Sequence, residues 1–194
     1  MKYDLVDGRC AWCAGDTLYQ SYHDNEWGRL VTDDNSLFEL ISLEGAQAGL
    51  TWLTILRRRE AYREAFHRFV PEKVAAMTDA DVERLMQFDG IVRNRLKIKS
   101  VITNARCFIA TVAEFGSFYN YIISFFPERR PIVNNFVSLS ELPASTPLSD
   151  AMARDMKRRG FKFFGTTICY AFLQSAGFVD DHLAGCVCRR QPTP

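Results

Sequence analysis

Cys10, Cys13 and His23 stand near one end of this chain, and His182, Cys186 and Cys188 stand near the other. Thiol and imidazole donors gathered at two such distant places constrain the fold more than any local pattern does. One tetrahedral ion held by both groups closes the whole chain into a loop. Two ligand sets compete. Cys10 and Cys13 with Cys186 and Cys188 uses thiols alone, whereas Cys10 and His23 with His182 and Cys186 uses both histidines. The second set is preferred, because a Cys-x-Cys pair chelates a tetrahedral ion poorly and the first set leaves both histidines unexplained. "HLAGC" also places His182 and Cys186 four residues apart, on one face of a helical turn. The competing reading is a group of free thiols with a core histidine. Four closed ligands leave no position for a metal-bound water, so the expected role is structural. His67, in "REAFHRF", is expected at the surface.

Between these ends the apolar residues recur with helical period and few stretches alternate, so the class is all-α. Asp34 or Asn35 is expected to cap a helix carrying Leu37, Leu40, Ile41 and Ala48 and ending near Gly49. A second helix starts at Thr51, with Trp52, Ile55, Leu56, Tyr62, Phe66 and Phe69 on its core side. Pro71 opens a third, through Met77, and "TDAD" at Thr78 resembles a capping box for a fourth, ending near Phe88. After a break at Asp89 and Gly90 a long helix runs from Arg93 to Phe115. Leu148 to Arg159 and Thr166 to Ala176 complete the set, stopped by Gly160 and Gly177. Glu128 to Pro147 is the least periodic stretch and is expected to be a surface connection.

A chain of 194 residues with a net charge of +1 suits one domain, 1–194, and offers no global field for nucleic acid. Local basic runs at Arg57 to Glu60, Arg93 to Lys99 and Lys157 to Lys162 could bind phosphate, but such runs are more often solvated helix faces. No apolar run suits a signal peptide or a membrane span, so a cytoplasmic monomer with no membrane partner is expected.

Glu44 is the residue that fits least well. In "ISLEGAQAG" it lies seven residues after Leu37 and four before Ala48, on the apolar stripe. An unpartnered buried carboxylate costs several kcal/mol. Either it pairs with an arginine in a structural ion pair, or the helix end frays enough to expose it, or its counterpart is a ligand.

At this point "YHDNEWG", "LEGAQAGLTW" and "GFKFFGTTICYAF" followed by "DHLAGC" together resemble the 3-methyladenine DNA glycosylase I family of base-excision repair enzymes. The likeness runs from Cys10 to Cys186 in the same order. It implies an all-α, helix-hairpin-helix DNA glycosylase with one structural zinc per chain joining the N- and C-terminal segments. The implied reaction is hydrolysis of the N-glycosidic bond of alkylated bases, chiefly 3-methyladenine, flipped out of double-stranded DNA. Free 3-methyladenine leaves and an abasic site remains. The implied location is bacterial cytoplasm, on nucleoid DNA.

Carried over by position, the zinc ligands fall on Cys10, His23, His182 and Cys186. The base pocket falls on Glu44, Trp52, Tyr19 and Tyr22, with Trp12 and Trp27 close by, and Glu44 and Tyr22 are the residues placed at the catalytic step. Glu44 is expected to act as an anion at the edge of the base. The DNA contacts fall on Gly49 and Leu50 and on the hairpin Gln87 to Arg95, through Gly90, Arg93 and Arg95. Leu50 is expected to fill the gap left by the flipped base; the competing reading is a core leucine. The hairpin has one glycine where the superfamily usually has two, and no Asp occurs between Gly90 and Ser149.

Overall fold

The structure, a computed structural model, describes residues 4–190. Residues 1–3 and 191–194, the ends of the single domain expected over 1–194, lie outside the described residues. The described part is mostly helical, and none of its helices is long and apolar enough to cross a membrane.

The chain enters through a two-residue hairpin, β1 (Leu5–Val6) antiparallel to β2 (Arg9–Cys10), and a 3-10 turn at Ala11–Cys13. Helix α1 (Thr17–Asn25) follows, with the Asp16 side chain accepting from Tyr19 N at 2.9 Å. Helix α2 (Asp34–Gln47) is the hub, since every residue from Leu37 to Ala46 is buried. Such a helix cannot be amphipathic; it is surrounded. Its N-cap is Asp33, which accepts from Ser36 N at 2.8 Å, in place of the expected Asp34 or Asn35. Asp34 instead accepts from Phe118 N at 2.9 Å and ties α2 to a later helix.

The expected second helix is two: α3 (Trp52–Arg57) and α4 (Arg59–Ala65), joined through Arg58 at ψ 1°. All six of its expected core residues are buried. Helix α5 (Pro71–Ala75) starts at the expected proline and stops two residues before Met77, which is buried beyond its end. Helix α6 (Asp79–Met86) has the expected capping box, Asp81 accepting from Thr78 N at 2.9 Å. Helix α7 (Arg95–Phe115) is 21 residues and about 31 Å long and forms the spine against which α2, α5, α6 and α8 pack. Helix α8 (Phe118–Ile123) has no counterpart in the sequence reading. Helices α9 (Pro147–Arg159) and α10 (Thr166–Ser175) form a pair that closes the core over α2.

The stretch from Glu128 to Pro147 is more than a surface connection. Strand β3 (Ile132–Val133) pairs in parallel with β4 (Val179–Asp180) beyond α10, and Asn134 Nδ2 donates to Asp181 Oδ1 at 2.7 Å. Phe136, Leu139 and Leu142 from this stretch pack with Leu5, Trp12, Leu183 and the thiols of Cys10, Cys186 and Cys188 in a second, smaller core. That core joins the two ends of the chain. The segment from His182 to Cys186 is a loop, so the expected helical turn there is corrected: the two side chains converge through the loop and its strand.

Candidate active site and metal centre

Helix α1 serves two sites at once. Tyr19 and Tyr22, three residues apart, point along one face into a cavity of about 220 Å³, and His23 turns to the terminal core. The other walls are Trp12 and Trp27 from either side of α1, Glu44 and Gln47 of α2, Trp52 of α3, Leu142, and Ala171, Gln174 and Ser175 of α10. Trp12 meets Tyr19 and Trp27 edge-on with ring centroids 4.8 and 5.0 Å apart, and Tyr22 stands 5.5 Å from Trp52. The Trp52 indole N–H is buried without a protein acceptor, a spare donor on the wall.

All six residues assigned to the base pocket therefore line one cavity. Glu44 sits in it buried, and among the described residues no cation pairs with it. The ion-pair reading belongs to Glu39 instead. One and a half turns earlier on α2, Glu39 accepts from Arg59 Nε at 2.6 Å and from Arg63 Nε at 2.9 Å. Burial pushes the Glu44 carboxyl up to about 8, and the hydrogen bond with Ser175 opposes this only in part. Against the expectation of a standing anion, burial in the open cavity favours the protonated form of Glu44. Burial also raises Tyr22 well above the ordinary phenol, so its hydroxyl stays protonated.

The terminal core holds the donors. His23, His182, Cys186 and Cys188 are all buried, each with one ligand atom within 4.8 Å of the others. His23 Nδ1 is 2.8 Å from Asp24 Oδ1, and Asp24 is in turn held below the usual carboxylate range by the hydrogen bond from Arg9. His182 Nδ1 is 2.7 Å from Asp180 Oδ1. A carboxylate on one ring nitrogen fixes the tautomer and turns the other nitrogen inward. His23 Nε2 lies 3.4 Å from Cys186 Sγ, and His182 Nε2 is buried with no hydrogen-bond partner among the described residues. Two imidazoles and a pair of thiols around an orphaned nitrogen is a donor set that fits a tetrahedral ion.

Cys10 adjoins this group. Its thiol is beside Cys186 and accepts from Leu183 N at 3.5 Å, and burial pushes it up to about 12. Cys188 donates to Asp24 Oδ1 at 3.5 Å. Cys13 is buried and donates to Cys10 O at 3.1 Å. Gly28 ends "YHDNEWG" at φ +74°, and a β-carbon there would fall 2.8 Å from His182 Cε1. Only glycine lets the chain pass so close to that ring.

A family model described as methyladenine glycosylase matches residues 12–190. The chain belongs to the methyladenine glycosylase family. It is thus an enzyme, a glycosylase of the hydrolase class. Among relatives of this family, DNA-3-methyladenine glycosylase 1 of Escherichia coli is 52% identical over 180 residues, 93% of this chain and 96% of that protein. A crystal structure of 3-methyladenine DNA glycosylase I superposes with a TM-score of 0.89 at 50% identity, covering 94% of this chain and all of the other. A variant of such an enzyme in complex with 3-methyladenine matches with a TM-score of 0.92 at 36% identity, over 96% of this chain and all of that one.

Within this methyladenine glycosylase the residues expected to touch DNA fall in two places. Gly49, at φ +78°, and Leu50, 40% exposed, form an open turn between α2 and α3, so the core reading of Leu50 does not hold. Arg93 and Arg95 are exposed on the hairpin between α6 and α7, but Asp89 holds Arg93 at 2.8 Å and Glu83 holds Arg95 at 2.9 Å. Gly90 is not in a left-handed conformation. A β-carbon on it would meet that of Ala61 at 2.4 Å, so the glycine lets the hairpin lie against α4. Sequence reasoning missed Gln47, Leu142, Ala171, Gln174 and Ser175 of the cavity, and passed over Cys188 as a donor near the histidines. The polar pair Gln174 and Ser175 ending an otherwise apolar helix was the available signal.

Proposed function

We propose that this chain excises 3-methyladenine from double-stranded DNA, taking the flipped nucleotide into the aromatic cavity, hydrolysing its N-glycosidic bond and leaving an abasic site. The observation that carries this reading is Glu44, buried without a cation partner among the described residues in a cavity walled by three tryptophans and two tyrosines. Alkylation at a ring nitrogen makes the base cationic in DNA. A neutral base leaves the carboxyl protonated; a cationic one lowers its pKa, so that the proton passes to solvent and the base gains an anion in a low-dielectric site. The aromatic faces add about 0.5 to 2 kcal/mol per contact toward a cation. Both effects select the lesion over ordinary adenine.

The charged base is already a good leaving group, so no carboxylate nucleophile is required, and the role of Glu44 is to hold the base edge. Tyr22, with its hydroxyl kept protonated, lines the same wall and orients the ring. Leu50 on its open turn fills the gap in the base stack, with Gly49 allowing the turn; Gly90, Arg93 and Arg95 of the hairpin meet the DNA backbone, in the manner of a helix-hairpin-helix glycosylase. For the two arginines this requires phosphate to replace Asp89 and Glu83 as partner.

The terminal core is read as a structural zinc site of Cys10, His23, His182 and Cys186. Cys186 and both histidines stand in the donor cluster, and Cys10 is favoured over Cys188 as the fourth ligand because it accepts a backbone N–H, as a thiolate does, whereas Cys188 donates its proton to Asp24. When bound, the ion would supply folding energy and ionise the buried thiols; the four protein ligands leave it no role in hydrolysis. A monomer of one domain, working on DNA in the cytoplasm, completes this reading. Release of free base from methylated duplex DNA, with and without Glu44→Gln, tests it: no release from the unaltered chain would overturn it.

A further inference from the structure

The turn that presents Leu50 is held from outside by one side chain. Lys97, in the first turn of α7, donates from its ammonium to Ala46 O at 2.9 Å, in the last turn of α2, and to Ala48 O at 2.6 Å, its C-cap. Among the described residues no other side chain hydrogen-bonds to the backbone of residues 46–50. Within the turn itself Leu50 N donates to Gln47 O at 2.6 Å, and Gly49 stands so open that a β-carbon would touch nothing within 4 Å. Without Lys97 the turn would be fixed only by its own backbone and by the Thr51 cap of α3.

The placement of this cation is informative because it does nothing for its own helix. A positive charge in the first turn of α7 opposes the dipole of α7, while at the C-terminus of α2 it complements that of α2. Burial lowers the Lys97 pKa, a further cost. Asn94, the cap of α7, bonds the Leu96 and Lys97 backbone N–H groups, so the hairpin, the start of α7 and the turn form one connected unit. Gln47, between the two carbonyls that Lys97 holds, lines the cavity.

We propose that Lys97 is a positioning residue that holds the Leu50 turn in the shape needed to occupy the gap in a duplex, coupling the hairpin to the cavity mouth. This rests on the reading of Leu50 as the wedge. Lys97 need not touch the base or the reacting bond.

A double-mutant cycle separates this from simple stabilisation. Lys97→Met, Leu50→Ala and the double variant are compared for binding to a duplex carrying a stable abasic-site analogue, for binding of free 3-methyladenine, and for melting temperature. Lys97→Met should weaken duplex binding by about tenfold, the scale of losing charge-assisted hydrogen bonds, and leave free-base binding unchanged. In the Leu50→Ala background the same change should have little further effect, since both act through one wedge. Should Lys97→Met not fold, Lys97→Gln, which keeps a donor but no charge, is put through the same cycle with the same expectation. Multiplying effects in the cycle, or an equal loss of free-base binding, would overturn the role of Lys97 while leaving the wedge reading intact. If Leu50→Ala alone leaves duplex binding unchanged, the wedge reading falls and this role falls with it.

Discussion

Trp27 stands edge-on to His182 with ring centroids 4.6 Å apart, while its indole forms part of the cavity wall. Trp12 makes the same double contact through His23, at 5.2 Å. The donor cluster and the cavity thus share a wall. On the proposed reading of the cluster as a structural metal site, loss of the ion should be felt in base binding. Cys186→Ser is expected to lose the zinc, melt lower and bind free 3-methyladenine several-fold less tightly. Metal analysis of single variants assigns the fourth ligand: Cys10→Ser should be depleted of zinc, and Cys188→Ser should keep it. The opposite pattern would move the ligand from Cys10 to Cys188.

Glu44 makes stability depend on pH in an unusual direction. Its folded pKa, about 8, lies above the ordinary 4.5, so the folded chain holds an extra proton between those values. Stability from this group is fully present below about pH 4.5 and is lost as pH rises toward 8. Glu44→Gln removes the titration. Its melting temperature should therefore exceed that of the unaltered chain by a gap that widens from about pH 5 to pH 9, with the loss at the alkaline end on the order of a few kcal/mol. A gap that does not change with pH would contradict a buried, unpaired carboxyl.

Leu50 is 40% exposed, so its side chain contributes little to the folded core. Leu50→Ala should leave melting within about 0.5 kcal/mol of the original. Binding to a lesion-bearing duplex should weaken markedly. A drop of several degrees in melting would show that Leu50 is part of the packing after all.

Glu39 serves as the control carboxylate on the same helix. Arg59 and Arg63 both bond it, and removing its charge leaves each of these partly buried guanidiniums with one carboxylate partner, Glu26 and Glu60 respectively. Glu39→Gln is expected to cost about 1 to 3 kcal/mol of stability, seen in denaturant unfolding, with free-base binding preserved. Loss of base binding without loss of stability would give Glu39 a role in the site.

Much of the site could be read from the chain because its signals are local. Glu44 breaks an apolar stripe, and His23, His182 and Cys186, three of the four clustered donors, are scarce residue types in suggestive places. Ser175 and Ala171 carry no such mark: they reach the cavity only because α10 packs over α2, a contact between residues more than a hundred positions apart. Leu142 and the pairing of β3 with β4 were hidden for a related reason. Two-residue strands have no periodicity, and the partner strand sets their register. Helix α8 was legible in principle, since Gly116 ends α7 at φ +81° and Ser117 accepts from Asn120 N at 3.0 Å, but its six residues are too few for a periodic signal. The raised pKa of Glu44 was not legible because burial depth, which shifts it, is a tertiary quantity.

Whether Glu44 recognises the base or activates water is decided by pairing two measurements on Glu44→Gln: excision of 3-methyladenine from duplex DNA, and binding of the free base. Recognition requires both to fall together, excision by about 10- to 100-fold, equivalent to about 1.4 to 2.7 kcal/mol of transition-state stabilisation, and free-base affinity by a similar factor. Normal binding of the free base with no excision at all would make Glu44 the general base and contradict its assignment to the base edge.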